Sequence, residues 1–245
     1  MADSPGRRRI SFPNSKAPSE APPRRRRYGR RKGWKLRPHQ AELVEKFLPQ
    51  LSLTLQKGAD PKSYFTCAVR DVWFEIGFGA GEHLAAQAEA NPDTGLIGAE
   101  PFVAGIAKLL SRIERGRLSN IRLYTEDARD LLDALPDASL GCVFLLFPDP
   151  WPKTRHHKRR FVQEDTLDTL ARVMKPGAEL RFATDDAPYL TWALERFVAH
   201  PGFRWLAETA SDWRVRPPDW PQTRYDAKAI KQGRSNTYLR FARSI

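Results

Sequence analysis

The sequence is short of cysteine and of long apolar runs, and each shortage excludes something. Only two of its 245 residues are cysteine, Cys67 and Cys142. Each sits in an apolar stretch and neither fits a metal-ligand spacing, so both are expected to be buried, reduced thiols. No apolar run approaches the ~20 residues of a membrane span, and the arginine-rich N-terminus lacks the apolar segment of a secretory signal. The expectation is a soluble, cytoplasmic protein with no membrane association. Excess charge is also missing from most of the chain. The formal net charge is +12, yet residues 38–245 carry 28 Lys/Arg against 27 acids. Residues 1–37 hold the other 13 Lys/Arg with two acids, in a Pro-, Ser- and Arg-rich stretch without periodicity. Such a stretch is expected to be disordered when free and to bind polyanions by counterion release, although a merely solubilising tail has the same composition. The expected organisation is a basic tail over 1–37 and one domain over 38–245, with 41% hydrophobic residues available for a core.

What is present is alternation. Short apolar runs (DVWFEIG, TGLIGAE, NIRLYTED, GCVFLLF, ELRFATDD) alternate with amphipathic helical segments such as HQAELVEKFLPQL, which begins at His39, PFVAGIAKLLSRIERG and APYLTWALERFVA. The segment FVQEDTLDTLARVM reads as a helix stopped by Lys175-Pro176-Gly177, and FRWLAETA and SNTYLRFA as two late strands. This order implies an α/β fold with a doubly wound, mostly parallel sheet.

Where the first run meets a helix stands Glu75-Ile76-Gly77-Phe78-Gly79-Ala80-Gly81. Glycines at 77, 79 and 81 let the backbone turn sharply and approach a ligand at a helix N-terminus. The spacing is neither the GxGxxG of dinucleotide sites nor a P-loop. An acid followed by alternate glycines is the arrangement of S-adenosyl-L-methionine sites, with a structural strand-to-helix turn as the plainer alternative. Glu100 at the end of the second strand suits a ribose, and Asp127 (or its neighbour Glu126) beyond the third suits an adenine amino group. Acids gathered at one sheet edge repel one another unless a ligand with donors sits among them.

The fourth strand delivers Phe147-Pro148-Asp149-Pro150-Trp151-Pro152-Lys153, followed by Arg155, His156, His157, Lys158, Arg159 and Arg160. The prolines fix where Asp149 points, Trp151 can stack on a base, and the cationic run suits phosphates. Adjacent histidines share a face poorly, and with no third ligand nearby no metal is expected.

FPDPWPKTRHHKRR, with FEIGFGAG upstream, ATDD at 183–186 and TRYD at 223–226, resembles the bacterial tRNA (guanine-N7)-methyltransferase family over roughly residues 65–242. The resemblance implies a seven-stranded class I, Rossmann-like methyltransferase fold, S-adenosyl-L-methionine as methyl donor, and the variable-loop guanosine of tRNA (position 46) as acceptor. It implies cofactor contacts at Glu75, Glu100, Asp127 and Asp149, with Asp149 also at the catalytic position. Substrate contacts are implied at Lys153, Asp185, Thr223, Arg224, Tyr225 and Asp226; the family usually has Glu where this chain has Asp226. No obligate protein partner is evident, and a monomer or homodimer is expected. Asp185 or Asp186 could instead cap a helix, as could Thr223 and Asp226, and Trp213, Trp220 and Tyr225 could pack on the sheet rather than on RNA. A same-fold enzyme acting on an exocyclic amine, or a non-catalytic RNA-binding relative, also remains open.

Overall fold

A computed structural model describes residues 35–245. The expected basic tail lies outside the described residues except for its last three. The helices are α1 (Pro38–Glu42), α2 (Leu48–Leu51), α3 (Glu82–Ala90), α4 (Val103–Gly116), α5 (Ala128–Ala134), α6 (Glu164–Val173), α7 (Ala187–Ala199), α8 (Ser211–Arg214) and α9 (Arg224–Lys231). The strands are β1 (Asp71–Ile76), β2 (Thr94–Ala99), β3 (Ile121–Tyr124), β4 (Leu140–Leu146), β5 (Met174–Thr184), β6 (Phe203–Trp205) and β7 (Thr237–Arg243). They form one seven-stranded sheet in the order β3-β2-β1-β4-β5-β7-β6. The first five in that order are parallel, and β7 runs antiparallel between β5 and β6.

The apolar runs form strands because both sheet faces are covered. Val72, Phe74 and Ile76 of β1 face a core shared with Leu131, Leu170 and Phe197, on α5, α6 and α7. Trp73 packs on the opposite core, with Leu84 of α3 and Leu109 and Leu110 of α4. All six β2 residues are buried, as befits a central parallel strand. A third, smaller cluster joins Ala183, Trp220 and Tyr238 with Leu146 and Phe147.

Three local expectations are corrected. Cys67 is exposed, in the loop that precedes β1, while Cys142 is buried on β4. Lys175-Pro176-Gly177 does not separate helix from strand: α6 ends at Val173, and β5 begins at Met174 and runs through those residues. The helix expected from His39 is interrupted by a wider turn at Leu43–Phe47, with Leu48 N–H donating to Leu43 C=O. Pro49 follows at once, and its ring crowds the carbonyl four residues back. Among the described residues no helix is long and apolar enough to cross a membrane.

Candidate active site

The chain reverses direction across the sheet between β1 and β4, the place where doubly wound sheets open a crevice at their carboxyl ends. A cavity of about 460 Å³ lies there. Its walls come from Ile76, Gly77 and Gly79 after β1, Glu100 after β2, Glu126 and Asp127 after β3, and Phe147, Asp149 and Trp151 after β4. Arg129, Arg159 and Tyr225 also line it.

The glycine turn is built as its spacing predicts. Gly77, Gly79 and Gly81 have φ of 71°, 58° and 71°, a region most side chains avoid. A Cβ at Gly77, on the cavity wall, would meet nothing within 4 Å. At Gly81 it would strike Leu109 at 2.6 Å, so that glycine serves helix packing rather than the cavity. Glu100 ties the turn down: its carboxylate accepts from Gly79 N–H and from Phe102 N–H, both at 2.9 Å. Burial raises its pKa, and those two amides only partly offset the rise. Gly105 of α4 had no signal beyond being a glycine inside a helical run, yet a Cβ there would lie 2.2 Å from Gly79 O.

Two of the expected cofactor acids already have partners within the protein. Glu75 is buried and does not line the cavity. Its Oε2 lies 2.8 Å from His83 Nδ1, on the face of β1 covered by α3. Gln87, one turn beyond His83, donates to the Asp219 carbonyl at 2.8 Å and so links α3 to the segment leading to α9. Asp127 does line the cavity, but it also caps α5 by accepting from Arg129 N–H at 3.0 Å and holds the Arg129 guanidinium at 2.9 Å through Nε. His83 and Arg129 were not singled out from the sequence. An i+8 histidine and an i+2 arginine carry no signal until the turn and the cap are known.

Asp149 faces the cavity at its open rim, and its carboxylate makes no hydrogen bond or ion pair among the described residues. The surrounding walls raise its pKa above the ordinary carboxylate value. On either side, Phe147 and Trp151 adopt φ of 51° and 45°. Both precede proline, which already narrows their backbone choices. Bulky residues are rare in this left-handed region.

The basic segment divides. Lys153, Arg155 and Lys158 are exposed, His156 and His157 half-buried. Burial, together with Arg159, Arg155, Lys153 and Lys158, lowers the His156 pKa and favours its neutral form. Arg159 turns into the cavity with its guanidinium 4.9 Å from the Trp151 ring. Arg160, expected on phosphates, is buried instead: its Nε donates to Pro150 C=O at 2.8 Å, and its guanidinium lies over the rings of Tyr189 and Trp192. It fastens the loop that carries Asp149.

On the far side, Asp185 is paired with Arg234 at 2.7 Å, outside the cavity, and Asp186 caps α7 through Tyr189 N–H. Thr223 and Asp226 form a reciprocal cap on α9. Asp226 is only 2% exposed, and its two oxygens accept from Thr223 N–H and O–H, Asn236 and the Tyr238 hydroxyl. With four donors around it, this carboxylate anchors α9 to β7 rather than facing the cavity. Tyr225 and Arg224, projecting from the same turn, lie over Gly79, and Arg224 Nη2 donates to the Tyr225 hydroxyl at 3.1 Å. Trp220 is buried against Tyr238.

Known proteins resemble the chain on several scales. A family model described as "Putative methyltransferase" matches residues 70–239. The tRNA (guanine-N(7)-)-methyltransferase of Rhodospirillum rubrum is 50% identical over 221 residues, covering 88% of this chain and 87% of that protein. The protein of the same name from Nitrobacter hamburgensis is 53% identical over 218 residues, with 88% and 86% covered. Among solved structures, a variant of a 16S rRNA (adenine(1408)-N(1))-methyltransferase from Catenulisporales acidiphilia shares the fold. Its TM-score is 0.50 at 17% identity, covering 78% of this chain and 98% of that one.

Proposed function

The chain belongs to the tRNA (guanine-N7)-methyltransferase family, and from that premise we propose that it methylates N7 of a guanosine in the variable loop of tRNA, at position 46, using S-adenosyl-L-methionine. One observation carries the reading. A single cavity joins a glycine turn with a ribose-suited carboxylate to an aspartate that has no hydrogen-bond or ion-pair partner among the described residues. The lining suits the donor: the space a Cβ at Gly77 would fill is left open, and Glu100 and Asp127 offer acceptors to a ribose and to an adenine amino group. Gly77, Gly79, Glu100 and Asp127 would hold S-adenosyl-L-methionine, which supplies an electrophilic methyl group on a sulfonium. Glu75 instead holds His83 of α3, and Gly81 makes room for Leu109.

Guanine N7 carries a lone pair and no proton, so no general base is needed. The chain's task is alignment, worth about 7–11 kcal/mol at best, and stabilisation of the positive charge that grows on the purine. Asp149 serves both: its carboxylate accepts from the guanine N–H edge, fixing the ring and rejecting adenine, and it opposes the developing cation. Lys153, Arg155 and Lys158, exposed beside the cavity, take the RNA phosphates. Residues 38–245 form the methyl-transferring unit, with the basic stretch 1–37 adding counterion-releasing contacts.

Incubation with radiolabelled S-adenosyl-L-methionine and unmodified tRNA, followed by nucleoside analysis, should yield 7-methylguanosine. Aniline cleavage should map it to the variable loop. Label on an exocyclic amine, or none on tRNA, would overturn the proposal.

A further inference from the structure

Asp149 addresses the edge of a purine, but nothing so far holds its faces. Among the rings lining the cavity, Phe147 and Trp151 flank Asp149, and Tyr225 stands beside Phe147. Trp151 is already covered, with the Arg159 guanidinium over its face and His156 edge-on at 5.9 Å. Phe147 and Tyr225 are arranged differently. Their planes are within 18° of parallel, and their centroids stand 6.4 Å apart. Centroids at this separation fall within the ~4.5–7 Å of an offset-stacked pair. A flat base between two rings needs their faces about 6.8 Å apart, so a small outward shift of the exposed Tyr225 admits one.

Both rings are held in place from outside the cavity. Phe147 keeps its left-handed backbone while its N–H donates to Ala183 C=O at 2.7 Å, and its side chain packs with Ala183, Trp220 and Tyr238. Tyr225 is 41% exposed, but it stands on a turn pinned by the buried Asp226, and its ring is set against Gly79, where a Cβ would come within 3.1 Å. Backbone strain of this kind survives only where the surroundings impose it, and it gathers at functional positions.

We infer that Phe147 and Tyr225 form a clamp that takes the acceptor guanine between their faces, with Asp149 on its edge. The inference rests on the proposed function, and it adds a consequence. A guanine methylated at N7 carries a positive charge spread over the ring, and two aromatic faces attract a cation. The clamp therefore favours the methylated ring over the neutral one, and the transition state shares part of that preference. Tyr225 and Phe147 are positioning residues whose loss should lower kcat as well as raise KM for tRNA.

The test compares 7-methylguanosine monophosphate with guanosine monophosphate as competitive inhibitors, in wild type and in Phe147→Leu and Tyr225→Leu. Wild type should prefer the methylated nucleotide by roughly 2- to 30-fold. Each Leu variant should lose that preference and lower kcat/KM for tRNA by roughly 5- to 100-fold. S-adenosyl-L-methionine affinity should stay within a few-fold, and Tyr225→Phe should recover most of what Tyr225→Leu loses. Tyr225 lies on the surface, so its variants remain informative even where Phe147→Leu misfolds. Leu variants that keep both the preference and the turnover overturn the clamp. Wild type that makes no 7-methylguanosine in tRNA overturns the proposed function itself, and the two failures are told apart by the wild-type product.

Discussion

The two ends of the cavity reach the same unusual backbone region by opposite means. At the glycine turn, positive φ at residues 77, 79 and 81 is achieved with side chains removed, and the turn is tied by a carboxylate to backbone amides. At the other end, positive φ at Phe147 and Trp151 is imposed on two of the largest side chains, each followed by proline. The first solution brings backbone close to a ligand at little steric cost. The second spends stability to aim aromatic rings and an aspartate. Adding atoms should therefore damage the first end, whereas removing them from the second should cost function and relax the fold.

The largest effect is expected from Asp149→Ala, which should lower turnover by about 100- to 1000-fold while S-adenosyl-L-methionine still binds within a few-fold. Single-turnover rates and equilibrium dialysis separate the two quantities. Equal losses in both would place Asp149 at the donor end and break the contrast. Next is Gly105→Ala, which adds one methyl group against Gly79 O. It should destabilise the protein by about 1–3 kcal/mol in denaturant titration and weaken donor binding more than tRNA binding.

Phe147 sharpens the comparison directly. Phe147→Ala and Phe147→Gly both remove the ring, but only glycine relieves the left-handed backbone. The Gly variant should thus be the more stable of the two by about 1–2 kcal/mol, although neither supports normal turnover. Equal stability would show that the strain is absent in solution. The smallest effect concerns pH. Glu100 has a raised pKa in the fold, so the folded state holds that proton more tightly than the unfolded chain does. Its contribution is fully present below the ordinary value of 4.5 and is lost as pH rises through the raised value. Melting temperatures of donor-free protein should fall over that interval, and less steeply in Glu100→Gln. Donor binding should strengthen over the same interval, because ribose hydroxyls donate to the ionised form.

Much of this was legible in the chain. Apolar runs alternating with helical segments specify the parallel sheet, and the glycine spacing together with FPDPW locates both ends of the cavity. What could not be read was which polar groups are already satisfied. Arg160 looks like its neighbours Arg155 and Lys158, yet it is buried over Tyr189 and Trp192, because its place in the loop turns it inward. Glu75 follows its strand's alternation to the face opposite the cavity, where His83 waits eight residues on. Asp226 meets Tyr238 and Asn236 only after β7 has joined the sheet. Cys67 is exposed despite its apolar neighbours, because such neighbours in a loop do not guarantee cover.

The position of β7 has a consequence for biosynthesis. This strand inserts between β5 and β6, and its Tyr238 hydroxyl holds the aspartate on which the turn bearing Tyr225 depends. Every residue lining the cavity precedes β7 in the chain. A nascent polypeptide still tethered to the ribosome through that strand would thus have a nearly complete donor end and a slack acceptor end. The turn that carries Tyr225 is thus fixed only once β7 has joined the sheet.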